Sequence, residues 1–169
     1  MLTKGISFKN FKAKKSKLTL KKQLLSILKS KNPVLDSLKK NYKNNYKSNF
    51  LDKYKKVSDF RLIGMGGSAL GTQTVYDFLR EKIKKNFEFV DNLQSVPDKQ
   101  SKKNYTNLII SKSGNTIETI INAKIYIKKK DKNIIITENK NNQLYRLAEK
   151  LKAEIIHHNN FIGGRYSVL

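Results

Sequence analysis

The chain contains no cysteine, so disulfides and thiol chemistry are excluded, and its composition fits a reducing cytoplasm. Acidic residues are few: 13 Asp and Glu stand against 36 Lys and Arg, giving a net charge of +23. Arginine is scarcer still, confined to Arg61, Arg80, Arg146 and Arg165. Proteins that read nucleic acid spend arginine on bidentate contacts. A charge carried by lysine, in a chain also rich in Asn and Ile, reads instead as solvated faces shaped by A/T-rich codons, and no nucleic-acid partner is expected. No apolar run approaches the roughly 20 residues of a membrane span, so no membrane partner is expected either. The opening MLTKGISFKNFKAKKSKLTL is basic but lacks the apolar core and small-residue cleavage site of a secretory signal, which points to a cytoplasmic protein.

What is present is enough for one core. The hydrophobic share of 38% is modest but above the disordered range. Residues 1–58 read as a helical, Lys-rich lead-in. Within it LTLKKQLLSILKS (18–30) spaces Leu20, Leu24, Leu25, Ile27 and Leu28 as an amphipathic helix, which Pro33 breaks. VLDSLKKNYKNNYKSNFLDKYKK then continues as a second helix, with Leu35, Leu38, Tyr42, Tyr46 and Phe50 at steps of three or four. That spacing reads as core contacts ahead of an RNA-binding face.

From residue 59 the texture changes. Five short apolar runs, in FRLIG, FEFV, NLII, NIIIT and EIIHH, alternate with helical stretches after the first, third and fourth. The linker DNLQSVPDKQSKKNY carries a turn or short helix at Pro97. Strands alternating with helices predict βαβ units. The expected fold is α/β: a three-layer α/β/α sandwich with a five-stranded parallel sheet over 59–169, preceded by the helical segment.

In such sheets ligands sit at the carboxyl ends of strands, near helix N-termini. Two segments there have suitable chemistry. GMGGSALG (64–71) follows the first run: Gly66 and Gly67 let backbone approach a ligand, and Ser68 offers a helix cap and a hydroxyl. It departs from GxGxxG, and only Asp91 is available as a ribose-reading acid, so dinucleotide binding is disfavoured. SKSGNT (111–116) follows the third run. Ser111, Ser113 and Thr116 supply hydroxyls, Lys112 a charge, Gly114 a tight turn, and the helix opening near Thr116 its positive end. Alone, this could be a turn that caps a helix. With GGS at a neighbouring strand end, it reads as a cradle for a phosphate dianion. His157 and His158 are adjacent on a strand and point to opposite faces, so both read as structural, and no metal site is supported.

SKSGNTIET resembles the phosphate-binding loop of the sugar isomerase (SIS) domain superfamily, and GMGGSALG resembles its first strand–helix turn. FIGGRYSVL is similar to the signature segment of the glucose-6-phosphate isomerase family. The resemblance covers residues 59–169 and is loose before them. It implies reversible isomerisation of glucose 6-phosphate and fructose 6-phosphate through an enediol, in glycolysis and gluconeogenesis, with no metal or organic cofactor. Gly67 and Ser68 would contact the sugar phosphate; Ser111, Lys112, Ser113, Gly114, Asn115 and Thr116 would form the phosphate loop. Arg165 would stabilise the anionic transition state, as a cation held after two glycines is placed to do. The family's Glu base and its assisting His and Lys lie beyond GGRYS and have no counterpart here; Glu118 does not match the base. The resemblance therefore reads the chain as an N-terminal SIS domain incomplete at its C-terminal end, inactive alone, and a homodimer in its full-length form. The competing readings are a non-catalytic sugar-phosphate sensor in a nucleic-acid-binding regulator, and an isomerase of amino-sugar or pentose phosphates.

Overall fold

A computed structural model describes residues 18–93, 103–128 and 130–163. Arg165, the Pro97 turn and the first 17 residues lie outside the described residues. The elements are helix α1 (Leu18–Lys29), helix α2 (Pro33–Ser37), a 3-10 helix (Ser48–Tyr54), strand β1 (Asp59–Gly64), helix α3 (Gly67–Phe78), strands β2 (Asn86–Val90) and β3 (Thr106–Ile110), helix α4 (Ile117–Tyr126), strand β4 (Lys132–Glu138), helix α5 (Gln143–Leu151) and strand β5 (Glu154–His158). The five strands form one sheet in the order β2-β1-β3-β4-β5, and every pairing is parallel. The expected α/β fold with five parallel strands is therefore present.

Alternation along the strands sends successive side chains to opposite faces. One face carries Ile63, Val90, Ile109 and Ile135, packed against Ile120, Ala123 and Tyr126 of α4 and Leu144 and Ala148 of α5. The other carries Phe60 and Ile134, covered by Tyr54 and Phe50 of the 3-10 helix. Tyr76 of α3 packs on Phe87 and Phe89 of this second face, with ring centroids 5.1 and 5.8 Å apart. Helix α3 thus lies on one side of the sheet, and α4 and α5 on the other.

The face under α4 also buries an arginine. Arg61 bonds Glu88 on β2 (3.1 Å) and the Tyr126 carbonyl (3.2 Å), and its guanidinium lies 4.0 Å from the Tyr105 ring centroid and 5.0 Å from that of Tyr126.

Two expectations for the lead-in need correction. The second helix predicted from residue 34 onward stops at Ser37, and no helix resumes until Ser48. The intervening KKNYKNNYK is dominated by Asn, whose side chain competes for backbone bonds, and by lysines that repel along a helix. Its side chains bond across the fold instead. Asn45 donates to the His157 carbonyl on the open edge of β5 (2.8 Å), and Tyr42 accepts from Asn159 (3.1 Å). Phe50 packs on the core as expected, but Tyr46 and Leu38 are exposed. Helix α1 forms where predicted, with Leu20, Leu24, Leu25, Ile27 and Leu28 all exposed. Helix α3 is also shorter than its pattern suggests. Past its end, Lys85 donates to the carbonyls of Lys55 (2.8 Å) and Val57 (2.5 Å), at the close of the 3-10 helix.

Candidate functional site

The sheet order reverses at β1. Its successor β2 lies on one side and β3 on the other, and the helices that follow β1 and β3 cover opposite faces. A crevice opens at the carboxyl ends of such a pair of strands. The two segments singled out from the sequence occupy its two sides: GMGGSALG leaves β1, and SKSGNT leaves β3.

On the β1 side the helix begins two residues earlier than Ser68 would require for a cap. Gly66 holds the N-cap position and Ser68 sits within the first turn, its N–H donating to the Met65 carbonyl (3.1 Å). The expected Ser68 cap is therefore corrected: Gly66 turns the chain with φ +54°, conformations that other residues rarely adopt, and no side chain caps α3. A Cβ at Gly66 would meet nothing within 4 Å, so this turn is open to a ligand. Gly67 and Ser68 are both half-buried beside it.

On the β3 side the loop is tied together from within. The Ser111 and Thr116 hydroxyls bond each other at 2.9 Å, and the Gly114 N–H donates to the Ser111 hydroxyl (3.2 Å). The Asn115 N–H donates to Ser113 Oγ (3.3 Å). Ser111 is buried, while Ser113 and Asn115 are exposed. Thr116 is the N-cap of α4 by position, but its hydroxyl faces Ser111 and makes no cap bond. Both helices that open onto the crevice, α3 and α4, therefore lack a side-chain cap. By contrast α5, one strand further out, is capped by Asn142, which accepts from the Tyr145 N–H at 2.8 Å, while Asn115 Oδ1 accepts from the Gln143 N–H at 3.1 Å. At the start of α3 the Ser68 and Ala69 N–H groups already bond the Met65 and Gly66 carbonyls, and it is the positive end of the helix dipole that suits an anion at both uncapped ends.

Asn142 also fixes the shape of the loop. Its amide donates to the Thr137 hydroxyl (3.0 Å), and its side chain fills the space where a Cβ of Gly114 would stand, 2.0 Å from Oδ1. Gly114 has φ +66°, so the tight turn read from the sequence needs glycine for conformation and for room.

Lys112 pairs with a carboxylate outside the loop. Its ammonium lies 3.5 Å from Glu138 at the end of β4, and Lys140 bonds the other Glu138 oxygen at 2.8 Å. The Lys140 hydrogen bond and the charges of both lysines hold the Glu138 carboxyl below its usual range, against the opposing effect of burial. Glu138 was not singled out from the sequence, because its approach to Lys112 depends on the neighbouring placement of β3 and β4. The contact of Asn142 with Gly114 depends on the same placement of neighbouring strands.

His157 lies on the α5 side, its ring stacked on Tyr145 with centroids 6.5 Å apart, and His158 Nδ1 lies 2.8 Å from the Asn159 carbonyl. Both serve packing and turn geometry. Among the described residues no three His, Asp or Glu side chains gather as metal ligands. Nor is any described helix long and apolar enough to cross a membrane.

The sheet order and the crevice define a doubly wound α/β domain. Comparison with known proteins supplies the lineage: the phosphoglucose isomerase family model matches residues 15–169, and the chain belongs to that family. It is 35% identical over 133 residues to the glucose-6-phosphate isomerase of Methanocaldococcus jannaschii, covering 70% of this chain and 32% of that protein. It is 32% identical over 133 residues to that of Mycoplasma genitalium, covering 69% of this chain and 31% of that protein. The chain thus spans about a third of the length of these relatives. Among solved structures, a hypothetical protein of Thermus thermophilus superposes with a TM-score of 0.62 at 22% identity, over 89% of this chain and 40% of that one. The tagatose-6-phosphate ketose/aldose isomerase of Escherichia coli superposes with a TM-score of 0.55 at 20% identity, over the same shares. At these identities the two structures bear on the fold alone.

Proposed function

We propose that the crevice between the ends of β1 and β3 binds the phosphate of a sugar phosphate, and that this chain forms the phosphate-gripping part of a glucose-6-phosphate isomerase. The supporting observation is the pair of uncapped helix N-termini, α3 and α4, on either side of the loop Ser111–Thr116. Gly67 and Ser68 contact the ligand from one side; Ser113, Gly114, Asn115 and the N–H groups opening α4 hold the phosphate from the other. Ser111 and Thr116, bonded to each other, keep the loop closed around it. Arg165 supplies positive charge for the enediolate, as electrostatic stabilisation of the transition state requires.

Proton transfer between C1 and C2 requires a base. In this reading, as the family resemblance implies, the base is a Glu with no counterpart in residues 1–169, and Glu118, in the first turn of α4, does not match it. The full enzyme acts as a homodimer in the cytoplasm, without metal or organic cofactor. Among the described residues of the lead-in, α2 has five residues, too few for a recognition helix, which does not favour the alternative of a sensor in a nucleic-acid-binding regulator.

Titration calorimetry of residues 1–169 with glucose 6-phosphate, fructose 6-phosphate and inorganic phosphate tests the site. Saturable binding that Ser113→Ala weakens is expected, with little or no isomerisation in a coupled assay. No saturable binding of any of the three, or affinity untouched by Ser113→Ala, would overturn the reading.

A further inference from the structure

The lysine inside the phosphate loop does not serve the phosphate position. The Lys112 ammonium makes no contact with the loop hydroxyls. It lies 3.5 Å from Glu138 Oε1 and 3.1 Å from where a Cβ of Gly163 would stand, with its Cδ 3.8 Å from the same point. Gly163 leads directly into the segment that carries Arg165. Glu138 grips this lysine at both ends. Its N–H donates to the Lys112 carbonyl (3.0 Å), to which the Thr137 hydroxyl also donates (3.3 Å), while its carboxylate pairs with the ammonium. The Glu138 side chain is nine-tenths buried, and its second oxygen is held by Lys140 at 2.8 Å, so the carboxylate is fixed from the far side as well.

A lysine on a flexible stem beside a dianion collapses onto it unless another charge holds it elsewhere. We propose that Glu138 is a positioning residue: it holds the Lys112 ammonium out of the phosphate grip and against residues 161–163, where the charge meets the sugar end of the substrate. The inference rests on the reading of residues 111–116 as a phosphate loop. It assigns Lys112 to selection of a sugar phosphate over bare phosphate.

The test compares affinities of the 1–169 chain for glucose 6-phosphate and for inorganic phosphate. Lys112→Met is expected to leave phosphate affinity within about twofold while lowering glucose 6-phosphate affinity roughly five- to tenfold, the scale of one charge-assisted contact. Glu138→Gln, which keeps shape and removes charge, is expected to lower the same selectivity, with no further loss in the Lys112→Met/Glu138→Gln double variant. Gly163→Ala crowds the ammonium without touching Glu138, and is expected to reduce selectivity in the same direction. A role in folding alone would weaken both ligands together, and amide spectra of each variant separate that case from the specific one. Equal losses for both ligands in Lys112→Met place the lysine in the phosphate grip and overturn the proposal. So does an additive double variant, or a Glu138→Gln variant of unchanged selectivity. Absence of saturable binding by the wild-type chain refutes the phosphate-loop reading itself, and this proposal with it. A loop that binds both ligands without selecting between them refutes this proposal alone.

Discussion

Gly114→Ala should be among the most damaging single-atom-scale changes in the molecule, and its cost can be built up from the structure. The residue has φ +66°, where a Cβ costs about 1 kcal/mol. The added methyl would stand 2.0 Å from Asn142 Oδ1 and 2.1 Å from its Cγ, so the Asn142 side chain must leave. Its departure removes the cap of α5, worth about 1 kcal/mol, and one of the two hydrogen bonds of the buried Thr137 hydroxyl, that at 3.0 Å, worth about 1 kcal/mol more; the bond to the Lys112 carbonyl stays. The expected loss is about 3 kcal/mol, read from urea unfolding midpoints at constant slope. A double-mutant cycle isolates the mechanism. In an Asn142→Ala background the collision disappears, and Gly114→Ala should cost only its conformational share of about 1 kcal/mol. Additive effects, or a single-variant loss below about 1 kcal/mol, would refute the argument that Asn142 and Gly114 share one space.

Two further outcomes follow from charged groups away from the loop. Arg61→Met removes a bond to Glu88, a bond to the Tyr126 carbonyl and a stack between two tyrosines, and should cost about 2 to 4 kcal/mol in chemical unfolding; a loss under 1 kcal/mol would show that Met packs as well as the arginine. Glu138 has its carboxyl lowered by the Lys140 hydrogen bond and by the charges of Lys140 and Lys112. Its contribution to stability is therefore full above the ordinary glutamate value, and is lost as pH falls through the lower folded value. Glu138→Gln should flatten the acid limb of a melting-temperature profile relative to wild type, and parallel curves would contradict the assignment.

The strands were legible because buried parallel strands read as continuous apolar runs, as in Leu62-Ile63 and Ile134-Ile135-Ile136. Helix α5 was legible as the helical stretch after the fourth apolar run, and its Asn142 cap is local in sequence. The lead-in was less so. Its aromatic spacing matched a helix, but Asn45 and Tyr42 found partners on β5 and beyond, and such long-range bonds outweigh a weak local preference. The two sides of the crevice were legible as compositions. The inward bond between Ser111 and Thr116, the uncapped start of α3 at Gly66 and the grip of Glu138 on Lys112 were not, since each depends on how strands distant in sequence are laid side by side.

The pairing of β1 with β3 has a consequence for how the chain is made. Every strand bonds to a neighbour in sequence, but β1 also bonds to β3, so its second edge stays open while β2 and its long connection are synthesised. Until β3 arrives, a strand with Leu62 and Ile63 on its opposite faces presents unpaired backbone to any other nascent copy, a template for mispairing. The lysine excess of the chain, 36 Lys and Arg against 13 Asp and Glu, opposes such pairing by like-charge repulsion, for the interval in which the crevice does not yet exist.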